Sequence, residues 1–377
     1  MYLYVFNPEH DYSLANNGTH FVPPASAVQF ADDCALFLSH LAEHNSCIFL
    51  PYRKRSRFYV VSDGTFTDTP PPLDGVRPWG WNVLVAQQCR DAVPTLTLPD
   101  AAVLSRWHDL AHRRTAAEGL EFLKHNSTAG ALFPKTPEEL FTIDQVQRFV
   151  GRHLDVLFKS PFSGNGRGHL YAHGECTPTL LRQCAGVLRK QGSLMGEQMY
   201  EVVQDFAMEF ECRCQNCRFL GYSLFNTQHY GYAGNALCAD SKMERAICQY
   251  VSLDMLDEVR RLVTAFINRR IAPCYSGFLG VDMFIYRDEH VFRLHPMVEI
   301  NLRMTMGLAA HTIYRKHVHP DAEGFFELKP FSSPEKLQDF VQQQPPPIVE
   351  GNRWRSGFFA LHPVSKWTRY LICATLK

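Results

Sequence analysis

Residues 278–303 read FLGVDMFIYRDEHVFRLHPMVEINLR. Both halves are apolar and rich in aromatic and β-branched residues, and the polar Arg287-Asp288-Glu289 between them reads as a turn, so the stretch is expected to form a β-hairpin. Side chains alternate along a strand, which puts Asp282 on one face with Phe284 and Tyr286, and Glu299 on one face with Asn301. Pairing across the turn then lets the three polar groups converge. Carboxylate and amide oxygens are hard ligands suited to magnesium held together with phosphate oxygens, and two acids in apolar strands are costly to bury without a cation. Asp282 alone also reads as a hydrogen-bonded strand acid. With Arg303 close behind, the set favours a metal and a phosphoryl group, because the guanidinium fork clamps such a group bidentately; an ordinary ion pair is its alternative.

Upstream, the apolar run DVLFK (155–159) leads into SPFSGNGRGHLY (160–171). Glycines at 164, 166 and 168 let the backbone approach an anion, and Lys159 at the strand end supplies a point charge. Gly168-His169 stands where a P-loop needs Lys-Ser/Thr, and the glycine spacing is not that of a Rossmann turn. A plain hairpin turn is the competing account. Around VVQDF (202–206), Glu197, Gln198, Gln204, Asp205 and Glu209 form a polar series. A nucleotide needs acceptors for ribose hydroxyls and the adenine amino group, roles assigned to Glu197 and Glu209, and an apolar wall, assigned to Val202 and Val203.

With 377 residues, 46% hydrophobic and 20% charged, the chain can bury substantial cores. Lys plus Arg and Asp plus Glu number 38 each, so no bulk field points to nucleic acid or an anionic membrane. No apolar run approaches the roughly 18 residues of a spanning helix, and MYLYVFNPEHDY lacks a signal-peptide pattern. Twelve scattered cysteines suit reduced thiols and a cytoplasmic location. Cys212, Cys214 and Cys217 lack the fourth ligand of a zinc site and read as strand cysteines around a turn at Gln215-Asn216.

Residues 1–115 read as an α/β domain. YLYVF is its first strand, ASAVQFADDCALFLSHLAEH a helix, SCIFLP and RFYVV further strands flanking a basic turn (Arg53, Lys54, Arg55, Arg57), TDTPPPLDGVRPWGW a turn-rich crossover and NVLVAQQCRDAV a helix. Asn7, Glu9, His10 and Asp11 follow the first strand, a favourable place for substrate contacts. Trp79 and Trp81 read as core. Thr136-Pro137-Glu138-Glu139 can open a helix, and Ser252 can cap one. QQQPPPIVEG reads as a surface linker before a terminal strand pair, RSGFFALHP and TRYLICATL.

These motifs, in this order over roughly residues 115–312, resemble the ATP-grasp superfamily, in a bacterial branch of ATP-grasp-domain proteins rather than a named ligase; LFKSPFSGNGRG, VVQDF, GFLGVDMFIY and VEINLRMTMG carry the resemblance. It implies an ATP-grasp fold of α/β and α+β parts: an N-terminal α/β domain (1–115), a first subdomain with the glycine loop (116–205), a second with the magnesium site (206–330), and a C-terminal linker and strand pair (331–377). ATP would lie clamped between the two subdomains. Lys159 would contact its phosphates, Ser163, Gly164, Asn165, Gly166, Arg167 and Gly168 would cover them, Glu197, Val203 and Glu209 would hold the nucleoside, and Asp282, Glu299 and Asn301 would bind magnesium or manganese. Arg303, with Lys159, would stabilise the transferring phosphoryl group. An early lysine common in the superfamily is replaced by His112-Arg113-Arg114, leaving Arg113 and Arg114 as candidates for a phosphate or substrate contact. Lys242 reads as solvated.

The implied activity is a magnesium-ATP-dependent ligase that activates a small-molecule or peptide carboxylate as an acylphosphate for attack by an amine or other nucleophile, releasing ADP and phosphate. A kinase or phosphotransferase using the same site, and a non-catalytic nucleotide-binding regulator, are the alternatives; a homo-oligomer is compatible with either. No nucleic acid or membrane partner is expected.

Overall fold

The computed structural model describes residues 1–18, 21–164, 168–228 and 231–377, in which three sheets succeed one another along the chain. The first comprises β1 (Tyr2–Val5), followed by α1 (His10–Asn16) and α2 (Ala25–Cys34), then β2 (Ser46–Phe49), β3 (Phe58–Val60), β4 (Thr65–Thr67) and β5 (Gly75–Pro78), with α3 (Val83–Ala92) after it. Strand order is β4-β3-β2-β1-β5, and β1 runs parallel to both β2 and β5. Leu3, Val5, Cys47 and Phe49 pack one face on Val85 and Cys89 of α3. On the other side Phe6 meets Phe37 and Trp79 edge-on, and this cluster continues into Ala309, Ile313, Phe326 and Ile372, so the N-terminal sheet is welded to the C-terminal part of the chain. β5 lies within the stretch expected to be a crossover; its register with β1, not its own glycine- and proline-bearing composition, makes it a strand.

Helices α4 (Ala101–Ala111) and α5 (Arg114–Asn126) break at His112-Arg113. The second sheet then forms from β6 (Glu138–Leu140), α6 (Ile143–Val150), β7 (Asp155–Lys159), β8 (Leu170–His173), α7 (Pro178–Gln191) and β9 (Leu194–Gln198), in the order β6-β9-β7-β8. The helix expected to open at Thr136 is instead a strand, because Glu138–Leu140 pairs with β9. The helix begins after Thr142, whose hydroxyl accepts from Gln145 N while the Gln145 side chain returns to the Thr142 amide in a capping box.

The third sheet has nine strands in the order β14-β13-β10-β11-β12-β15-β18-β17-β16. Along the chain these are β10 (Glu201–Arg213), β11 (Asn216–Gln228), β12 (Gly231–Leu237), α8 (Asp240–Ile247), α9 (Leu253–Arg270), β13 (Gly277–Asp288), β14 (Val291–Asn301), α10 (Met306–His317), β15 (Gly324–Pro330), α11 (Pro334–Gln342), β16 (Ile348–Glu350), β17 (Arg353–Ala360) and β18 (Tyr370–Leu376). The hairpin over 278–303 is β13–β14. The β10–β11 hairpin reverses at Cys214 and Gln215, both with positive φ, one residue earlier than expected, which sets Cys212 opposite Cys217. Ser252 caps α9 by accepting from Met255 N at 3.2 Å. The sheet takes in segments 206–330 and 331–377 alike, since β15 pairs with β18, and β10 starts within 116–205. Part of the expected linker belongs to α11 and β16.

One face of this sheet carries Phe206, Met208 and Phe210 of β10 and Leu279, Val281, Met283 and Ile285 of β13, packed on Leu120 and Leu123 of α5 and Val259 and Val263 of α9. Each such side chain contributes roughly 1.5–3 kcal/mol by burial. Strand alternation turns the intervening residues, Ala207, Glu209, Gly280 and Asp282, toward the opposite face, where the second sheet faces them across a cleft. Among the described residues no helix is long and apolar enough to cross a membrane.

Candidate active site

Register builds the cleft floor as two rows across three strands. Ala207, Asp282 and Glu299 form one row; Glu209, Gly280 and Asn301 form the next. Small residues thus alternate with polar ones, leaving room for carboxylates. Asn301 Nδ2 donates to Asp282 Oδ2 at 3.0 Å, leaving the Asn301 carbonyl oxygen as a further donor to any cation. Burial, then the charges of Glu299 and Glu209, push the Asp282 carboxyl up to about 7.

Glu209 is 1% exposed. Its Oε1 accepts from Ser223 Oγ at 3.0 Å and its Oε2 from Thr305 Oγ1 at 2.8 Å. Burial lifts it to about 7 despite these bonds. A Cβ at Gly307 would stand 2.3 Å from Glu209 Oε1, and one at Gly280 2.9 Å from Oε2, so both glycines are needed for the carboxylate to fit. Glu209, expected at the nucleoside, stands beside the acid pair, whereas Glu197 lies on β9 in a buried ion pair with Lys159. Val203 occupies a bulge in β10. Tyr200, Tyr286, Phe284 and His295 form an aromatic cluster in which the first two rings lie 4.6 Å apart and the last two 4.8 Å. Phe284 and Tyr286 lie at alternate positions from Asp282 along β13, as strand alternation predicts.

Lys159 ends β7, 5% exposed, and lines the cavity above the acid rows. His169 lines it too; burial, followed by the Lys159 and Arg113 charges, lowers its pKa to about 3, and among the described residues its Nδ1 has no hydrogen-bond partner. Arg113 bonds the start of the glycine loop and pairs with Glu299 Oε2 at 2.8 Å. Arg114 points elsewhere, 3.5 Å from Glu139 and half-exposed. Of the loop, Ser163 accepts from Arg113, Gly164 packs on Asp11, and Gly168 adopts φ 82, in the left-handed region that favours glycine. Asn165, Gly166 and Arg167 lie outside the described residues.

Arg303 is held by Asp11 in a two-point pair, Nε to Oδ1 at 3.2 Å and Nη2 to Oδ2 at 3.1 Å. Burial opposes the Asp11 charge, but Arg303, His10 and Arg113 together keep its carboxyl below the usual range. The two neighbours of Asp11 in the expected substrate patch face inward. Glu9 is fully buried, accepts from Tyr52 OH at 2.7 Å and is raised by burial to about 7; His10 packs against Gly80 and is lowered by burial to about 4. Lys242 pairs with Glu323 at the surface.

Two compartments result. A cavity of about 210 Å³ holds Lys159, Glu209, Asp282, Glu299 and Arg303. A second, of about 490 Å³, is bounded by Asp11, Tyr12, Phe30, Phe162 and Tyr370, and Gly164 borders both. Among the described residues no three His, Cys, Asp or Glu side chains converge as a ligand set; the third donor beside the acid pair is an amide. Two carboxylates and an amide oxygen, with Asp282 strained by its own charge, nonetheless match the hard-donor chemistry of magnesium. Ser223, Thr305 and His169 escaped the sequence reading because only long-range register and the loop path bring them here.

No family model and no curated protein sequence matches this chain. Among solved structures it is similar to an N5-carboxyaminoimidazole ribonucleotide synthetase in complex with ADP, with a TM-score of 0.52 and 9% identity over 100% of this chain and 92% of that one. It is also similar to N5-carboxyaminoimidazole synthetase from Staphylococcus aureus with ADP (TM-score 0.49, 11% identity, 99% and 93% covered) and D-alanyl-alanine synthetase A from Vibrio cholerae (0.46, 11%, 81% and 88%). The chain has the ATP-grasp fold.

Proposed function

We propose that this chain is an ATP-grasp enzyme, of the bacterial branch its motifs resemble, that uses magnesium-ATP to activate a carboxylate for capture by an amine or another nucleophile. The observation that carries the reading is the half-buried pair Asp282 and Glu299, with Asn301 beside it, in one cavity with Lys159 and Arg303. The acids, with Arg303 just past the end of β14 and Lys159 on β7 of the other sheet, suit a polyphosphate whose oxygens meet both a divalent cation and fixed cations.

Asp282, Glu299 and the Asn301 carbonyl would hold magnesium, which when bound neutralises phosphate oxygens. Lys159, kept in place by Glu197, would draw charge from the phosphoryl oxygens, and Arg303, kept in place by Asp11, would do the same where charge builds in transfer. The γ-phosphoryl group passes to a carboxylate oxygen, giving ADP and an acylphosphate; the nucleophile then attacks the acyl carbon and expels phosphate. The second compartment, meeting the first at Gly164, would seat the acceptor, with Asp11 at the junction. The glycine-loop stem would exclude water from the intermediate.

The test is incubation with magnesium-ATP and a panel of carboxylates, amines and thiols, resolving ADP from AMP and identifying products by mass spectrometry. ADP with a new amide or thioester is the expected result. A stable phosphate ester would make the protein a kinase, AMP would mean adenylation, and tight nucleotide binding without turnover across the panel would make it a regulator.

A further inference from the structure

Arg113 sits at the break between α4 and α5 and is 7% exposed. Two of its guanidinium nitrogens have hydrogen-bond acceptors and the third has an ion-pair partner. Nε donates to Ser160 O at 3.0 Å, Nη2 to Ser163 O and Oγ at 3.1 and 3.2 Å, and Nη1 pairs with Glu299 Oε2 at 2.8 Å. Its backbone N–H also donates to Pro161 O at 3.3 Å. These partners belong to different lobes: residues 160–163 leave β7 of the four-stranded sheet, while Glu299 lies on β14 of the nine-stranded one.

We infer that Arg113 is a positioning residue, a strut that fixes the stem of the glycine loop relative to the acid pair, and not a ligand of phosphate. The inference rests on the magnesium-ATP reading for its catalytic meaning, though the strut itself is a property of the nucleotide-free protein. Arg113 borders the acid-pair cavity, but its Nε and Nη2 N–H groups are taken by two carbonyls and a hydroxyl of the loop stem, and its remaining nitrogen, Nη1, is ion-paired with Glu299. Lysine, with one nitrogen, cannot span that set. Gln191 also grips the stem, accepting from Phe162 N at 3.0 Å and donating to Phe162 O at 3.3 Å. Gln191 ends α7 of the same lobe as the loop, so it shapes the stem without relating it to the floor. Arg113 relates the two. Because Oε2 of Glu299 serves the strut and Oε1 is left for a cation, whatever draws on this carboxylate is linked mechanically to the loop.

The test compares wild type with Arg113→Met, Arg113→Lys and Glu299→Gln, using hydrogen exchange of the peptide covering residues 160–164 without nucleotide, and calorimetric titration of ADP with and without magnesium. Circular dichroism and thermal melts check folding. Loss of the strut is expected to speed exchange of the stem by about tenfold in Arg113→Met, less in Arg113→Lys and Glu299→Gln, with the rest of the chain unaltered. ADP affinity without magnesium should stay near wild type, and the magnesium-dependent gain should shrink. Unchanged stem exchange in the two variants that fold best overturns the strut, as does an equal loss of ADP affinity with and without metal, which marks a phosphate ligand. If the stem loosens but wild type binds no magnesium-ADP, the strut stands and the functional reading falls.

Discussion

Asp282 on β13 stands directly opposite Glu299 on β14, two acids on the cleft face of strands whose other face is core. Asp282 is raised from 3.8 to about 7, so the folded chain retains a proton that the unfolded chain releases between about pH 4 and pH 7. Stability without metal therefore declines as pH rises through that window. Asp282→Asn removes the burden while keeping an acceptor for Asn301. It should match wild type near pH 4 and exceed it by roughly 1–3 kcal/mol at pH 8, while turnover falls by about 100-fold or more. Melts across pH, with and without magnesium-ADP, check this: only wild type should gain from the ligand, and equal melting of both proteins at pH 8 would contradict it.

Lys159 and Glu197 form an ion pair with both side chains under a tenth exposed. Removing one partner strands the other charge in the interior. Lys159→Met should cost about 3–5 kcal/mol, and adding Glu197→Gln should restore most of it. Activity should remain absent in both variants carrying Lys159→Met, separating the catalytic loss from the loss of stability. Urea denaturation of the four proteins of the cycle supplies the measurement; additive single costs would mean that the pair is not coupled.

Glu209 stands in the row beside Asp282 and is enclosed by Ser223, Thr305, Gly280 and Gly307. Glu209→Gln preserves shape and should raise the magnesium concentration needed for half-maximal ADP binding by about tenfold, through the lost negative charge near the acid pair. ADP affinity measured without metal should be unaffected; a fall there would return Glu209 to a ribose contact. Glu209→Ala leaves two hydroxyls without their acceptor and opens a void, with an expected cost of about 2–4 kcal/mol in denaturant.

The floor of this site was legible where chemistry is local. Alternation within 278–303 is enough to put Asp282 with Phe284 and Glu299 with Asn301, and an apolar run ending at Lys159 before glycines marks the opposite wall. Position along the chain says nothing, however, of which row an acid on β10 will join. Glu209 reached the acid pair because Ala207 registers with Asp282, a long-range pairing beyond any window of sequence. Arg113 and Arg114 are adjacent and chemically identical; the end of α4 at Ala111 and the start of α5 at Arg114 send one to Glu299 and the other to Glu139. Arg303 and Asp11 are 292 residues apart, so their pairing depends on how the first sheet docks on the third.

Gly164 meets that same Asp11. A Cβ at position 164 would lie 2.3 Å from Asp11 Oδ2, the oxygen that accepts from Arg303 Nη2. The contact is with a carboxylate already fixed by two bonds, so Gly164→Ala must move either the loop stem or the Asp11–Arg303 pair. Displacement by about 1 Å in a catalytic arrangement costs on the order of 100-fold in rate, and this is the expected loss in turnover, with little change in thermal stability because the stem is partly exposed. Asp11→Ala removes the obstructing carboxylate and also frees Arg303, and should itself lower turnover. If steric pressure on Asp11 is the cause, adding Gly164→Ala to Asp11→Ala should cost little more, so the two effects combine far below additivity. Steady-state rates for the two single variants and the double variant decide the matter: a full further 100-fold drop in the double would place the effect of Gly164 in the backbone of the loop and not in its contact with Asp11.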